Sequence, residues 1–225
     1  MTKTCSELFQ GMDCTIIGNG NEEVAGLAFR SDEVAPGDMF FCIVGTVVDG
    51  HSFAQDAIDR GATSLVAERK VYLADATDVT EVVVSDSRKA MAYASANYYD
   101  NPSRAFSLVG ITGTNGKTTT TYLVEHIASV AGNRCGVIGT VGNKIAGVME
   151  HAERTTPESP DLQKLFARMR DAGCTVVAME VSSHALDLRR TWDTDFAVTA
   201  FTNLTQDHLD YHHTFDDYFE AKALL

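Results

Sequence analysis

The chain has 225 residues, 44% of them hydrophobic and 22% charged, with a formal net charge of −13. This is ordinary globular composition, enough for one large or two medium domains, and it excludes a low-complexity or disordered chain. The negative balance repels nucleic acid and anionic membranes, so an anionic ligand needs local help from a cation or from backbone N–H groups.

No apolar run approaches the roughly 20 residues that span a bilayer, and the first residues lack a basic-then-apolar signal pattern. The five cysteines, Cys5, Cys14, Cys42, Cys135 and Cys174, are scattered and form no CxxC pair. Free, mostly buried thiols in a reducing compartment are expected. The expectation is a cytoplasmic protein with no nucleic-acid or membrane partner, acting as a monomer.

In chain order, β-rich runs at Thr15–Ile17, 39–44, Ser64–Ala67 and 81–84 alternate with helical patterns. Ser52 can cap a helix carrying Phe53, Ala57 and Ile58, which Gly61 stops. Ala90, Met91, Ala94 and Tyr98 share one face of a second helix, and Asn101-Pro102 ends it. From 105 to 111 a continuous apolar run reads as a buried parallel strand. A glycine loop follows, then a helix whose apolar stripe is Tyr122, Leu123, Ile127 and Val130, stopped by Gly132. Further strands are expected at 136–141, 175–181 and 196–201, with a helix over 161–172. The alternation predicts an α/β fold: a small N-terminal Rossmann-like α/β domain over 1–101, then part of a mostly parallel-sheet domain over 102–225.

The strongest local signal is Gly113-Thr114-Asn115-Gly116-Lys117-Thr118-Thr119, between a buried strand and a helix. Glycines let successive N–H groups point at one anion, and the helix N-terminus adds partial positive charge. Lys117 can reach the outer phosphates and the Thr118 hydroxyl can ligate Mg²⁺. The loop is the short G-x-x-G-K-T form, since Ile111 stands where the longer P-loop motif has glycine.

Strand carboxyl ends are where ligands sit in open α/β sheets. Glu180 ends one expected strand, and Asn203 to His208 follow another. A carboxylate is a good hard-cation ligand. Imidazole is less usual for Mg²⁺, so His208 reads equally as a ligand or as a helix-entry histidine bonded to backbone. His126 falls mid-helix and reads as structural, while His51, His151, His212 and His213 read as surface residues. Thr214 can cap a last helix with Phe215, Tyr218, Phe219, Leu225 and Lys222 on one face. A buried Lys222 would shift toward the neutral amine, which can form a carbamate with CO₂. The alternative is a snorkelling lysine with its head in water.

Taken together, ITGTNGKTTT (111–120), ERTTPESPDLQ (153–163), AMEVSSHAL (178–186), FTNLTQDHLDYH (201–212) and YFEAKALL (218–225) resemble the Mur ligase family, most closely its MurE-type members. VAPGDMFFCIVG (34–45) and DGHSF (49–53) are similar to the family's N-terminal domain. The resemblance covers essentially the whole chain. It implies an ATP-dependent, Mg²⁺-requiring amide ligase of peptidoglycan synthesis. The reaction adds an amino acid, L-lysine or meso-diaminopimelate, to UDP-N-acetylmuramoyl-L-alanyl-D-glutamate through an acyl phosphate.

By that resemblance Gly113, Thr114, Asn115, Gly116, Lys117, Thr118 and Thr119 bind the ATP phosphates. Thr118, Glu180, His208 and a carbamylated Lys222 serve Mg²⁺, with Lys117, Lys222 and His208 as catalytic groups. Thr155, Thr156, Ser182 and Arg190 hold the muramoyl dipeptide. Ser31, Thr46, Val47 and Val48 contact the UDP end, although Arg30-Ser31-Asp32 replaces the family's Asp-Ser-Arg order. The last residues lie in an apolar helical pattern with no polar tail, so the chain is expected to stop before the enzyme is complete and to be inactive alone. Rival readings are a folylpolyglutamate-type sibling ligase, a P-loop switch protein and a fragment that only binds UDP-sugar or nucleotide.

Overall fold

The computed structural model describes residues 2–45, 48–71 and 78–225. The chain divides into two compact units, Met1–Tyr98 and Tyr99–Leu225, a division just before the expected join at Asn101-Pro102. Among the described residues no helix is long and apolar enough to cross a membrane. All five cysteines are free thiols.

The first unit runs β1 (Lys3–Thr4), α1 (Cys5–Leu8), β2 (Thr15–Ile17), β3 (Glu23–Val24), β4 (Gly26–Ala28), β5 (Asp38–Phe41), α2 (Ala54–Asp59), β6 (Ser64–Ala67), β7 (Thr80–Val83) and α3 (Ser87–Tyr98). Its main sheet has the order β2-β7-β6-β5-β4. All its pairings are parallel except β2 with β7. Successive side chains of a strand point to opposite faces, which explains why the apolar run 39–41 of β5 is buried throughout. Met39 and Phe41 join Leu8, Val66, Val82 and Met91 on one face, and Phe40 joins Leu65, Ala57 and Cys42 on the other. Burying each such side chain contributes about 1.5–3 kcal/mol.

Two expectations change here. The strand expected over 39–44 ends at Phe41, because Val44 turns back to form an isolated bridge with Asp49. The helix near Ser52 begins with a 3₁₀ turn over Gly50–Phe53, and its cap is Asp49, which accepts the His51 N–H at 3.0 Å.

The second unit runs β8 (Ser107–Thr112), α4 (Lys117–Val130), β9 (Cys135–Gly139), β10 (Gly142–Ile145), β11 (Val148–Glu150), α5 (Ser159–Asp171), β12 (Val176–Glu180), α6 (Ser183–Asp187), β13 (Val198–Phe201), α7 (Leu209–His212) and α8 (Phe215–Ala223). The sheet order is β11-β10-β9-β12-β8-β13. The β9, β12, β8 and β13 pairings are parallel, and β10 and β11 add an antiparallel edge. Leu162, Leu165, Phe166 and Met169 of α5 build the core against Leu108, Ile138, Val177 and Met179.

Three of the four residues of the expected α4 stripe are exposed, Leu123, Ile127 and Val130 being 55%, 67% and 76% accessible, while Tyr122 is half-buried. The helix instead turns Thr121 inward, and His126, expected to be structural, is also exposed. On α8 the buried face is Tyr218, Ala221 and Lys222, while Phe215 and Phe219 lie exposed. His51 and His212, expected at the surface, are buried.

Candidate functional site

The second unit's strand ends are brought level by the sheet register. Glu180 at the end of β12 stands opposite Ile111 of β8, and Phe201 of β13 stands opposite Thr112. The chain leaves β8 through Gly113 and enters α4 after Gly116, with φ of +134° and +84°. Side-chain-bearing residues rarely adopt such angles. A Cβ on Gly113 would also lie 2.0 Å from Thr202 Oγ1, so the turn can press against the chain after β13 only as glycine. That contact anchors the loop: Thr114 N–H donates to Asn203 O at 2.9 Å, and Asn115 N–H donates to Asn203 Oδ1 at 3.0 Å. The first N–H groups of α4 have no intrahelical acceptor and face the same end as the loop.

Two lysines converge on the loop from different helices. Lys117 Nζ donates to Gly113 O at 2.8 Å and Thr114 O at 2.9 Å. Lys222 Nζ donates to the same Gly113 oxygen at 2.9 Å. Lys222 is 2% accessible. Burial, and then the charge of Lys117, lowers its pKa from 10.5 to about 8, with Asp207 opposing. Lys117 is lowered as well, by burial, against the pull of Glu180 and Asp207. Two ammonium groups on one carbonyl repel each other, and an anion between them would relieve the repulsion.

Glu180 is buried, and both carboxylate oxygens are engaged. Oε1 accepts the Thr140 N–H at 2.9 Å. Oε2 accepts the Thr118 hydroxyl at 2.9 Å and the Thr140 hydroxyl at 3.1 Å. Thr118 lies in the first turn of α4, so a hydroxyl and a carboxylate meet beside the phosphate-type loop, a donor pair suited to a hard cation. Gly139 makes room for it, since a Cβ there would lie 2.2 Å from Glu180 Oε1.

The same corner gathers the 155–190 residues. Thr155 Oγ1 is 3.0 Å from Thr140 Oγ1. Thr156 Oγ1 donates to Glu180 O at 2.9 Å and accepts the Ser182 N–H at 3.1 Å. Ser182 caps α6 through the Ala185 N–H. Arg190 is buried, donating to Thr156 O at 3.1 Å and pairing with Glu158 at 2.8 Å. Thr140 and Glu158 were not singled out from the sequence. The signal for Thr140 is its place one residue beyond β9, at the same sheet end as Glu180.

His208 opens α7 in a left-handed conformation, φ +53°, and its side chain makes no cap hydrogen bond to the helix. Its half-exposed ring lies 4.8 Å from His184 and 6.1 Å from Tyr218, between centroids. Tyr218 leads back to the loop, its hydroxyl 3.1 Å from Thr114 Oγ1. Among the described residues no group of three His, Cys, Asp or Glu side chains is placed to hold a metal, so Glu180 and His208 belong to no such preformed set. Burial, then the neighbouring imidazoles, lowers the pKa of His184.

In the first unit, Ser31 lines a cavity of ≈ 430 Å³ with Phe29, Phe40, Ile43, Val48 and Phe53. Arg30 pairs with Asp32 at 3.0 Å and with Glu33 at 3.2 Å on its rim. Thr46 and Val47 lie outside the described residues. His51 braces the adjoining chain: Nδ1 is 2.6 Å from Asp49 Oδ1, and Nε2 accepts the Glu68 N–H at 3.1 Å. That acceptor role makes Nδ1 the protonated nitrogen. Arg69 and then the His51 bonds hold the Asp49 carboxyl well below the usual carboxylate range.

Residues 111–225 match the Mur ligase middle domain, and residues 23–111 match the Mur ligase family catalytic domain. The UDP-N-acetylmuramoyl-L-alanyl-D-glutamate--2,6-diaminopimelate ligase of Geobacillus thermodenitrificans (strain NG80-2) is 50% identical over 92% of this chain and 41% of its own length. The enzyme of the same name from Clostridium botulinum (strain ATCC 19397 / Type A) is 44% identical over 97% of this chain and 45% of its own. A solved structure of a ligase with this name superimposes with a TM-score of 0.82 at 27% identity, covering all of this chain and 45% of that one. The chain thus spans less than half the length of the curated relatives it matches.

Proposed function

Because the chain belongs to the Mur ligase family, we propose that it supplies the nucleotide- and UDP-sugar-holding part of an ATP-dependent amide ligase of peptidoglycan synthesis, working in the cytoplasm. The acceptor is UDP-N-acetylmuramoyl-L-alanyl-D-glutamate. The incoming amino acid is 2,6-diaminopimelate, the amine named for relatives up to 50% identical. Residues 1–101 would hold the UDP end, at the cavity beside Ser31 and Val48, and 102–225 the triphosphate.

The observation that carries this reading is the meeting of Thr118 and Glu180 at 2.9 Å, beside a glycine loop on which Lys117 and Lys222 converge. Backbone N–H groups from Gly113 to Thr119 and the start of α4 would cradle the phosphates. Lys117, now resting on loop carbonyls, would move to the outer phosphates. Thr118 and Glu180 would hold Mg²⁺, with His208 and a carbamylated Lys222 nearby. When bound, the metal supplies positive charge to the phosphate oxygens. A neutral Lys222 amine forms the carbamate by adding to CO₂ and releasing one proton, and its lowered pKa favours that form.

The substrate carboxylate attacks the γ-phosphorus, forming an O–P bond as ADP leaves. The amine of the amino acid then attacks the acyl carbonyl, and phosphate departs. Two anions must approach in the first step. Lys117 and the helix N-terminus screen that repulsion. Thr155, Thr156, Ser182 and Arg190, beside Glu180, would orient the dipeptide carboxylate toward the loop.

With less than half of the relatives' length present, this chain alone should bind ligands without turnover. The test is phosphate release from ATP by a full-length enzyme containing this sequence, with the UDP-muramoyl-dipeptide and each candidate amino acid. Release with diaminopimelate supports the reading, release only with L-lysine changes the amine, and none with any amino acid overturns the ligase assignment.

A further inference from the structure

Tyr218 of α8 is fully buried, and packing alone explains only its ring. A phenylalanine would fill the same space without burying a hydroxyl, which costs free energy unless bonded. The hydroxyl reaches Thr114 Oγ1 at 3.1 Å. Thr114 has one hydroxyl proton, and it goes to Thr205 O at 3.1 Å, while its oxygen accepts the Thr205 N–H at 2.9 Å. Tyr218 is therefore the donor, using the remaining lone pair of Thr114. Meanwhile the ring face carries Lys222 Nζ 4.6 Å from its centroid, one helical turn away on the same side of α8. His212 closes the ring's surroundings at 5.4 Å between centroids.

One side chain thus touches both components that meet at Gly113 O. We infer that Tyr218 is a positioning residue: its hydroxyl fixes the Thr114 turn of the phosphate-type loop, while its ring seats Lys222 against that loop. Without the hydroxyl, the Thr114 side chain keeps its Thr205 bonds and the Thr114 N–H its bond to Asn203 O, but the carbonyls of Gly113 and Thr114, which orient Lys117, lose a brace. Without the ring, the uncarbamylated Lys222 ammonium loses its cation–π seat and can withdraw from Gly113. The inference rests on the proposal that this loop holds nucleotide phosphates.

The test compares wild type, Tyr218→Phe and Tyr218→Leu in this chain by calorimetric titration with Mg·ADP. Proton NMR reads the Lys222 ε-methylene, which the tyrosine ring current should shift upfield, and thermal unfolding checks the fold. Tyr218→Phe should weaken Mg·ADP about 5–10-fold and lower the melting midpoint by about 2–4 °C, the scale of one lost hydrogen bond, with the methylene still upfield. Tyr218→Leu should also return the methylene to an ordinary shift. Wild-type affinity in Tyr218→Phe, or an unshifted methylene in wild type, would overturn the inference alone. Failure of wild type to bind Mg·ADP at all would overturn the phosphate-site proposal, and this inference with it.

Discussion

Changing Glu180 to glutamine removes a charge and almost no volume. The carboxylate accepts three hydrogen bonds, from Thr140 N, Thr140 Oγ1 and Thr118 Oγ1. Bonds to a charged group contribute roughly 1.5–3 kcal/mol each, against roughly 0.5–1.5 for neutral ones. Three weakened bonds would cost on the order of 3 kcal/mol, but the amide also escapes the penalty of a buried carboxylate. Its oxygen can keep the Thr140 N–H, while its NH₂ can donate to hydroxyls that rotate to accept. Stability should therefore fall by only about 1–2 kcal/mol, read from urea denaturation midpoints. Magnesium should respond far more. Losing an outer-shell partner costs a metal site about 10–100-fold, and losing an anionic ligand should reach at least the upper end of that range. The assay is calorimetric titration of ADP with and without MgCl₂. The Mg²⁺-dependent gain in affinity should vanish while metal-free ADP binds as well as before. An intact gain in Glu180→Gln would show that the cation sits elsewhere.

Lys222 gives a pH-resolved prediction. Its folded pKa of about 8 lies below the ordinary 10.5, so between those values the unfolded chain binds more protons and stability rises with pH. Lys222→Met should remove that slope and stabilise most at pH 7, by on the order of 2–3 kcal/mol, with the difference from wild type shrinking between pH 8 and 10.5. Parallel stability curves would refute the buried-ammonium reading. Gly113→Ala should abolish Mg·ADP binding, because its Cβ would meet Thr202 Oγ1 at 2.0 Å; near-normal affinity would mean the turn is not the phosphate seat. Arg190→Lys loses the bond to Thr156 O or to Glu158 and should cost about 1–3 kcal/mol of stability, measured by denaturation. His51→Ala strips the Glu68 N–H of its acceptor and should cost a similar amount, with the loss confined to the first unit in hydrogen exchange.

The glycine loop was legible because its chemistry is local: strand, two left-handed glycines and helix occupy adjacent residues. Glu180 could be placed because a strand end fixes where its last residue stands. The α4 stripe misled, since periodicity marks an apolar face without saying whether anything covers it, and Leu123, Ile127 and Val130 remain open. On α8 the spacing located Lys222 on the buried side but assigned Phe215 and Phe219 to it as well. Only packing against the loop distinguishes Tyr218 from its apolar neighbours. His51 and His212 looked solvated because their sequence neighbours are polar, whereas their burial comes from the turn over Gly50–Phe53 and from the rings of Tyr211 and Tyr218. Thr140 and Glu158 act through partners distant in sequence, 40 and 32 residues away, beyond the reach of any local pattern.

A crystal structure of this chain with Mg²⁺ and a non-hydrolysable ATP analogue tests the proposed pocket most directly. The phosphates should lie along Gly113–Thr119, with Lys117 Nζ moved from the loop carbonyls to the terminal phosphate. The metal should sit within about 2.0–2.1 Å of Thr118 Oγ1, with Glu180 in its coordination shell, directly or through one water. Phosphates bound elsewhere, or a metal away from both side chains, would contradict the account.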